Sequence, residues 1–149
     1  MLSIQSNRIT KLENLDALEN LEELYISHNG LTRIEGLDSN LKLATLDIAG
    51  NRIREVENVK HLSKMEEFWV SESLVVLTRQ KLNYVRPGQQ ANDNDIQDIN
   101  QIDEQLGPDH MPSLSTVYLE GNPAYRKEGP AYRRKLTMAL PQIQQIDAT

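Results

Sequence analysis

The sequence predicts an α/β solenoid. Short parallel strands form its concave face, 3₁₀ or helical turns its convex face, and a helical cap closes its C-terminal end. Three observations predict it. Apolar residues recur at fixed offsets around an asparagine. That asparagine falls at positions 7, 29 and 51, a period of 22 kept twice over. The tail then changes to helical spacing and stops at a proline.

The best-formed unit is Leu21-Glu22-Glu23-Leu24-Tyr25-Ile26-Ser27-His28-Asn29-Gly30-Leu31, which fits the leucine-rich repeat template L-x-x-L-x-L-x-x-N-x-L without a mismatch. Leu21, Leu24, Ile26 and Leu31 point into one core. Strand side chains alternate, so Tyr25 faces the other way, into solvent. Asn29 both donates and accepts, which lets it satisfy backbone groups that a buried turn would orphan. One unit cannot bury its own apolar edges and needs copies on both sides. Leu2-x-Ile4-x-x-Asn7-x-Ile9 precedes it, and Leu43-x-x-Leu46-x-Ile48-x-x-Asn51-x-Ile53 follows. Between strands, Ile9, Leu12, Leu15 and Leu18 recur every three residues, as do Ile53, Val56, Val59 and Leu62. That spacing suits 3₁₀ or short helical turns on the convex side. The first unit starts at its second leucine with no polar capping segment before it. The expectation is the C-terminal part of a longer array or an N-terminally truncated gene model, with Leu2, Ile4 and Ile9 as an apolar edge prone to self-association.

The fourth unit opens as Met65-Glu66-Glu67-Phe68-Trp69, but its asparagine does not follow on schedule. Deleting residues 70–90 restores the register. The unit then reads Phe68-Trp69-Ala91-Asn92-Asp93-Asn94-Asp95-Ile96, and the spacing 94 − 51 = 43 becomes 22 once 21 residues are removed. The expectation is therefore an insert, Val70 to Gln90, looped out, with Ala91 in the core slot. Val70-Ser71 and Gln90 can be encoded with the borders of an intron, so a retained intron is weighed against a true insertion. The fifth unit, Leu114-x-x-Val117-Tyr118-Leu119-x-x-Asn122-Pro123, follows a convex segment enlarged by six residues. Tyr132 to Pro141 reads as the cap helix, and Ile143 to Asp147 as a last strand-like edge. The whole is one domain, residues 1–149, with repeats over about 1–122 and the cap over 123–149.

Register gives the concave face. Its central row is Ser3, Tyr25, Asp47, Trp69 and Tyr118. Glu23, Thr45, Glu67 and Thr116 precede these, and Gln5, Ser27, Ala49, Asn92 and Glu120 follow. Exposed aromatics beside carboxylates are the makings of an interface, and the only tryptophan of the chain, Trp69, sits among them. Chemistry of other kinds finds little support. His28, His61 and His110 fall on separate parts of the repeat, so no metal site or triad is suggested. Glu22-Glu23 and Glu66-Glu67 are strand neighbours that face opposite sides. Asp93 and Asp95 lack the rest of a calcium loop. Arg133-Arg134-Lys135 reads as a solvated cap face. With no cysteine there is no disulfide framework. No run of 18 apolar residues occurs, and the net charge of −6 argues against nucleic acid. Neither a cofactor nor a small-molecule substrate is expected, and the chain is not expected to be an enzyme.

The phrases Asn51-Arg52-Ile53-x-x-Val56-Glu57-Asn58-Val59 and Val117-Tyr118-Leu119-Glu120-Gly121-Asn122-Pro123, with the tail Tyr132-Arg133-Arg134-Lys135…Ala139-Leu140-Pro141…Gln145-Ile146-Asp147-Ala148-Thr149, resemble the protein phosphatase 1 regulatory subunit 7 family. The resemblance spans about 128 residues, everything outside 70–90. It implies a leucine-rich-repeat solenoid with a C-terminal repeat cap. It also implies a non-catalytic scaffold, nuclear and cytoplasmic, whose concave face holds the protein phosphatase 1 catalytic subunit. The family's contact positions match Asp47, Glu67, Trp69 and Tyr118, and Tyr25 is added from register alone. Family members carry roughly twice as many repeats, and in this chain the Trp69 strand is interrupted. Two alternatives are a generic repeat scaffold for a cytoskeletal or dynein-associated partner, and an RNA-associated repeat protein of the spliceosomal A-prime type.

Overall fold

The computed structural model describes residues 1–71, 94–100 and 102–147. Among them, six short strands form one parallel sheet in sequence order: β1 (Leu2–Ser3), β2 (Glu23–Tyr25), β3 (Thr45–Asp47), β4 (Glu67–Trp69), β5 (Thr116–Tyr118) and β6 (Gln145–Ile146). Equivalent residues pair in register: Leu2 with Leu24, Leu46 with Phe68, Phe68 with Val117 and Val117 with Ile146. The middle residue of each central strand, Leu24, Leu46, Phe68 or Val117, is fully buried, and its two neighbours lie on the opposite, concave side. This is the leucine-rich-repeat solenoid expected from the 22-residue period.

The repeat asparagines hold the units together. Each Oδ1 accepts the backbone N–H of the unit before it: Asn29 from Ile9 at 3.0 Å, Asn51 from Leu31 at 3.0 Å, Asn94 from Ile53 at 2.8 Å and Asn122 from Ile96 at 3.1 Å. Each Nδ2 donates to carbonyls of its own unit and the preceding one. Asn51, for example, reaches Ile48 and Ile26 at 2.8 and 3.2 Å. A fixed side chain thus satisfies donors and acceptors that the tight turn removes from water. The residue before the asparagine takes positive φ: Ser6, His28, Gly50 and Gly121 at 56°, 55°, 61° and 86°. His28 is therefore a turn residue. On the convex side, backbone bonds such as Leu18 to Leu15, Leu43 to Asn40 and Met65 to Leu62 close turns of the 3₁₀ type, set three residues apart. The enlarged segment before β5 forms a short helix, α1 (Asp103–Leu106), which buries Leu106.

One expectation is corrected. Val70 is not looped out. It is fully buried in the slot that Ile26 and Ile48 fill in their units. Its N–H donates to Tyr118, and its carbonyl accepts from both Asn94 and Asn122. Ser71 is buried beside it and accepts from the Gly50 N–H, as Ala49 does from His28. Valine fills a slot cut for isoleucine, and deletion of 21 residues restores the period equally well from 72 as from 70. The surplus therefore begins after Ser71, and Ser71 takes the row position assigned to Asn92. Ala91 and Asn92 lie outside the described residues.

The cap contains a helix that the sequence reading did not predict. Pro123 opens α2 (Pro123–Glu128), a 3₁₀ turn spans Gly129–Ala131, and α3 (Tyr132–Ala139) follows. Tyr132, Leu136 and Leu140 face inward, essentially without exposure. Asp147 then takes the asparagine's accepting role. Its Oδ1 receives the N–H groups of Leu119 and Glu120, both at 2.9 Å.

Candidate functional site

The sheet carries its functional candidates on the concave side because strand alternation leaves no other place for them. Tyr25, Asp47, Trp69 and Tyr118 are paired neighbours along one row, and Glu23, Thr45, Glu67 and Thr116 along the row beside it. Tyr25, Asp47, Glu67, Trp69 and Tyr118 therefore lie in two adjacent rows on the concave side.

Its centre is an aromatic pair. The rings of Trp69 and Tyr118 lie 4.8 Å apart, tilted by 49°. Both are half-buried. The stack covers part of the indole that register alone placed in water, and the indole N–H is shielded, with no hydrogen-bond partner among the described residues. Tyr118 is fixed from the cap side, where Gln145 Nε2 donates to its hydroxyl at 2.7 Å. Tyr25 donates to Glu23 Oε2 at 3.2 Å. Partial burial first, and then the Glu23 carboxylate, raise the phenol above its ordinary value, with Glu67 and Asp47 adding to it. Glu67 is half-exposed next to Trp69.

Asp47 departs from expectation. Register faces it outward, yet it is only 5% exposed. Gln5 Nε2 donates to its Oδ2 at 3.0 Å and the Ala49 N–H to its Oδ1 at 3.1 Å. The same Gln5 amide bridges to Ser27 at 2.8 Å. Asp47 is thus sealed under Gln5 and helps to fix the surface. Its charge still adds to the negative potential around Tyr25. Sequence reasoning missed the roles of Gln5 and Gln145. Both are amides one or two units away in sequence, and only side-chain reach across the ladder shows them.

Elsewhere, a groove along the loops after the asparagines is lined by Arg33, Arg52, Arg54, Glu55, Glu57 and Asp95. Arg33 pairs with Glu57 at 3.1 Å and Arg54 with Asp95 at 3.7 Å, so cation and carboxylate largely cancel there. Among the described residues no three His, Cys, Asp or Glu side chains cluster as metal ligands, and no helix is long and apolar enough to cross a membrane.

A family model for leucine-rich repeats (two copies) matches residues 1–39. The protein phosphatase 1 regulatory subunit SDS22 of Schizosaccharomyces pombe is 39% identical over 59 residues, 40% of this chain and 17% of that protein. Protein phosphatase 1 regulatory subunit 7 of Bos taurus is 62% identical over 37 residues, 25% of this chain and 10% of the relative. The chain thus matches only a small part of each relative's length. Among solved structures, the Drosophila melanogaster SNF/U2A′ complex aligns with a TM-score of 0.69 at 20% identity, covering 97% of this chain and 70% of that one. A leucine-rich-repeat protein of Leptospira interrogans aligns at 0.68 and 19%, over 99% of this chain and 30% of that one. At such identities these two establish the fold alone.

Proposed function

We infer that this chain, a leucine-rich-repeat protein that belongs with the protein phosphatase 1 regulatory subunit 7 family over the stretches it matches, is a non-catalytic scaffold for the protein phosphatase 1 catalytic subunit. The observation that carries the reading is the Trp69–Tyr118 pair beside Glu67 on the concave face, with Tyr25 and Glu23 two strands along the same two rows. Half-buried aromatics lose little conformational freedom on binding and bury large area, as interface hot spots do. The neighbouring carboxylates favour basic side chains on the partner, through charge-assisted hydrogen bonds and cation–π contacts with the rings. The matched relatives are named protein phosphatase 1 regulatory subunits, which supports the partner's class, and the aromatic and acidic side chains of the concave face support it as the seat. The same reading puts the protein in nucleus and cytoplasm, which cell fractionation checks.

The test is a pull-down of the purified catalytic subunit with wild-type chain and Trp69→Ala. Loss of a central aromatic should cost on the order of 2 kcal/mol, roughly 30-fold in affinity. Circular dichroism on the same samples should show the fold retained, because the ring is not part of the core. Unchanged binding per folded molecule would sink the concave-face reading. If the wild type itself fails to bind, the phosphatase is the wrong partner.

A further inference from the structure

The central concave row ends at Tyr118. Strand β6 sets Gln145 beside Thr116 and Ile146 beside Val117, but the next residue, Asp147, takes φ 57° and turns inward to 1% exposure. Among the described residues, no side chain beyond Tyr118 continues the row. Gln145 reaches across from the neighbouring row instead, and its Nε2 lies 2.7 Å from the Tyr118 hydroxyl. A second contact fixes the direction of that bond. The same Nε2 lies 3.3 Å from the Asp147 carbonyl, which can only accept. Turning the amide over would set its oxygen against that carbonyl. The nitrogen therefore faces both oxygens, and the Tyr118 oxygen accepts. The phenol proton is left to point away from Gln145, and no acceptor among the described residues takes it.

Tyr25, three strands along the same row, has the opposite polarity. It donates to the Glu23 carboxylate at 3.2 Å, so its oxygen keeps only lone pairs to offer. The carboxylates of Glu23 and Glu67 accept as well. One end of the concave face thus presents acceptors. The other end, roughly 14 Å away by ladder spacing, presents a donor.

We propose that Gln145 sets Tyr118 as a hydrogen-bond donor to a carbonyl oxygen of the bound catalytic subunit, while the Tyr25–Glu23 end takes a basic side chain. A neutral oxygen suits the Tyr118 end better than a carboxylate, because Glu67 stands one strand away and repels a second negative charge. Gln145 is a positioning residue, acting through the Tyr118 proton. Its role rests on the concave-face reading and names what the partner brings to the β5–β6 end of that face.

Isothermal titration of the purified catalytic subunit with the full chain tests this, with a thermal midpoint for every variant. Tyr118→Phe keeps the ring against Trp69 and removes only the hydroxyl. It should weaken binding about fivefold, equally at low and high salt. Gln145→Glu replaces the donor with an acceptor that takes the Tyr118 proton, and should weaken binding by as much. Gln145→Lys can still donate and should stay within about twofold of wild type. Charge alone predicts the reverse order, because a partner with basic groups gains from the glutamate and loses by the lysine. In a Tyr118→Phe background the glutamate should cost nothing further, as no proton is left to redirect. Equal loss from the glutamate with and without the hydroxyl would make Gln145 merely structural and overturn the proposal. So would a glutamate variant as tight as wild type. If that variant has a lowered midpoint, Tyr118→Phe against wild type decides alone. A Tyr118→Phe loss that vanishes at high salt would make the acceptor a carboxylate and overturn the neutral one. Failure of the wild type to bind overturns the phosphatase reading and this proposal together. Loss in Trp69→Ala with none in Tyr118→Phe overturns this proposal alone.

Discussion

Asn51→Ala and Asn7→Ala remove the same side chain from the same place in the repeat, and the structure separates their costs. Asn51 is fully buried. Its amide donates to the carbonyls of Ile26, Ile48 and Ala49, and its oxygen accepts from Leu31 N–H. Not all of these groups are orphaned by truncation. Ile26 O keeps Asn29, Ile48 O keeps Asn94, and Ala49 O keeps the His28 N–H. Only the buried Leu31 N–H is left without the acceptor it uses here. An orphaned buried donor costs about 1–3 kcal/mol, and the emptied amide volume adds about 1. Asn51→Ala should therefore lose roughly 2–4 kcal/mol. Asn7 is exposed and, among the described residues, bonds Ile4 O and Gln5 O, and Ile4 O also receives Asn29. Its truncation should stay within about 0.5 kcal/mol. Urea unfolding followed by far-ultraviolet circular dichroism gives both values, with equal slopes expected. Equal costs for the two variants would refute the ladder account. So would an Asn51→Asp variant as stable as wild type, because a carboxylate cannot donate to three carbonyls.

Further outcomes follow from the same contacts. Leu46→Ala, which empties a fully buried slot, should cost about 2–5 kcal/mol and affect catalytic-subunit binding only through unfolding, checked by binding per folded molecule. Asp147→Asn should be nearly neutral in urea unfolding, because its Oδ1 only accepts, whereas Asp147→Ala should cost about 1–3 kcal/mol by orphaning the Leu119 and Glu120 N–H groups. Burial, and then the Asp147 carboxylate, raise the Tyr132 phenol far above its ordinary value. The folded state holds that proton where the unfolded chain releases it, so stability is intact below about pH 10 and falls as pH rises beyond it. Tyr132→Phe should flatten the alkaline limb of a pH–stability curve and leave the neutral region within about 1 kcal/mol.

Sequence alone determined the repeat, its register and the membership of the concave row. The leucines and the asparagine each have one place where the turn allows them, and a 22-residue period leaves no freedom in how units stack. Tyr25, Asp47, Trp69 and Tyr118 fell on one row for that reason. The same periodicity could not say where the surplus begins, because Val70-Ser71 and Ala91-Asn92 both satisfy a pattern that asks only for a small or apolar residue. Packing decided it: valine fills the slot, and its carbonyl is the one that Asn94 and Asn122 reach. Nor does a row show depth. Asp47 is covered because Gln5, two units earlier, is long enough to lie over it, and Trp69 is half-covered because Tyr118 leans on it. The helix after Pro123 went unread because six residues make too few turns for periodicity to show. Local spacing fixes what faces where, and only contacts between residues distant in sequence fix how much of each side chain is left for a partner.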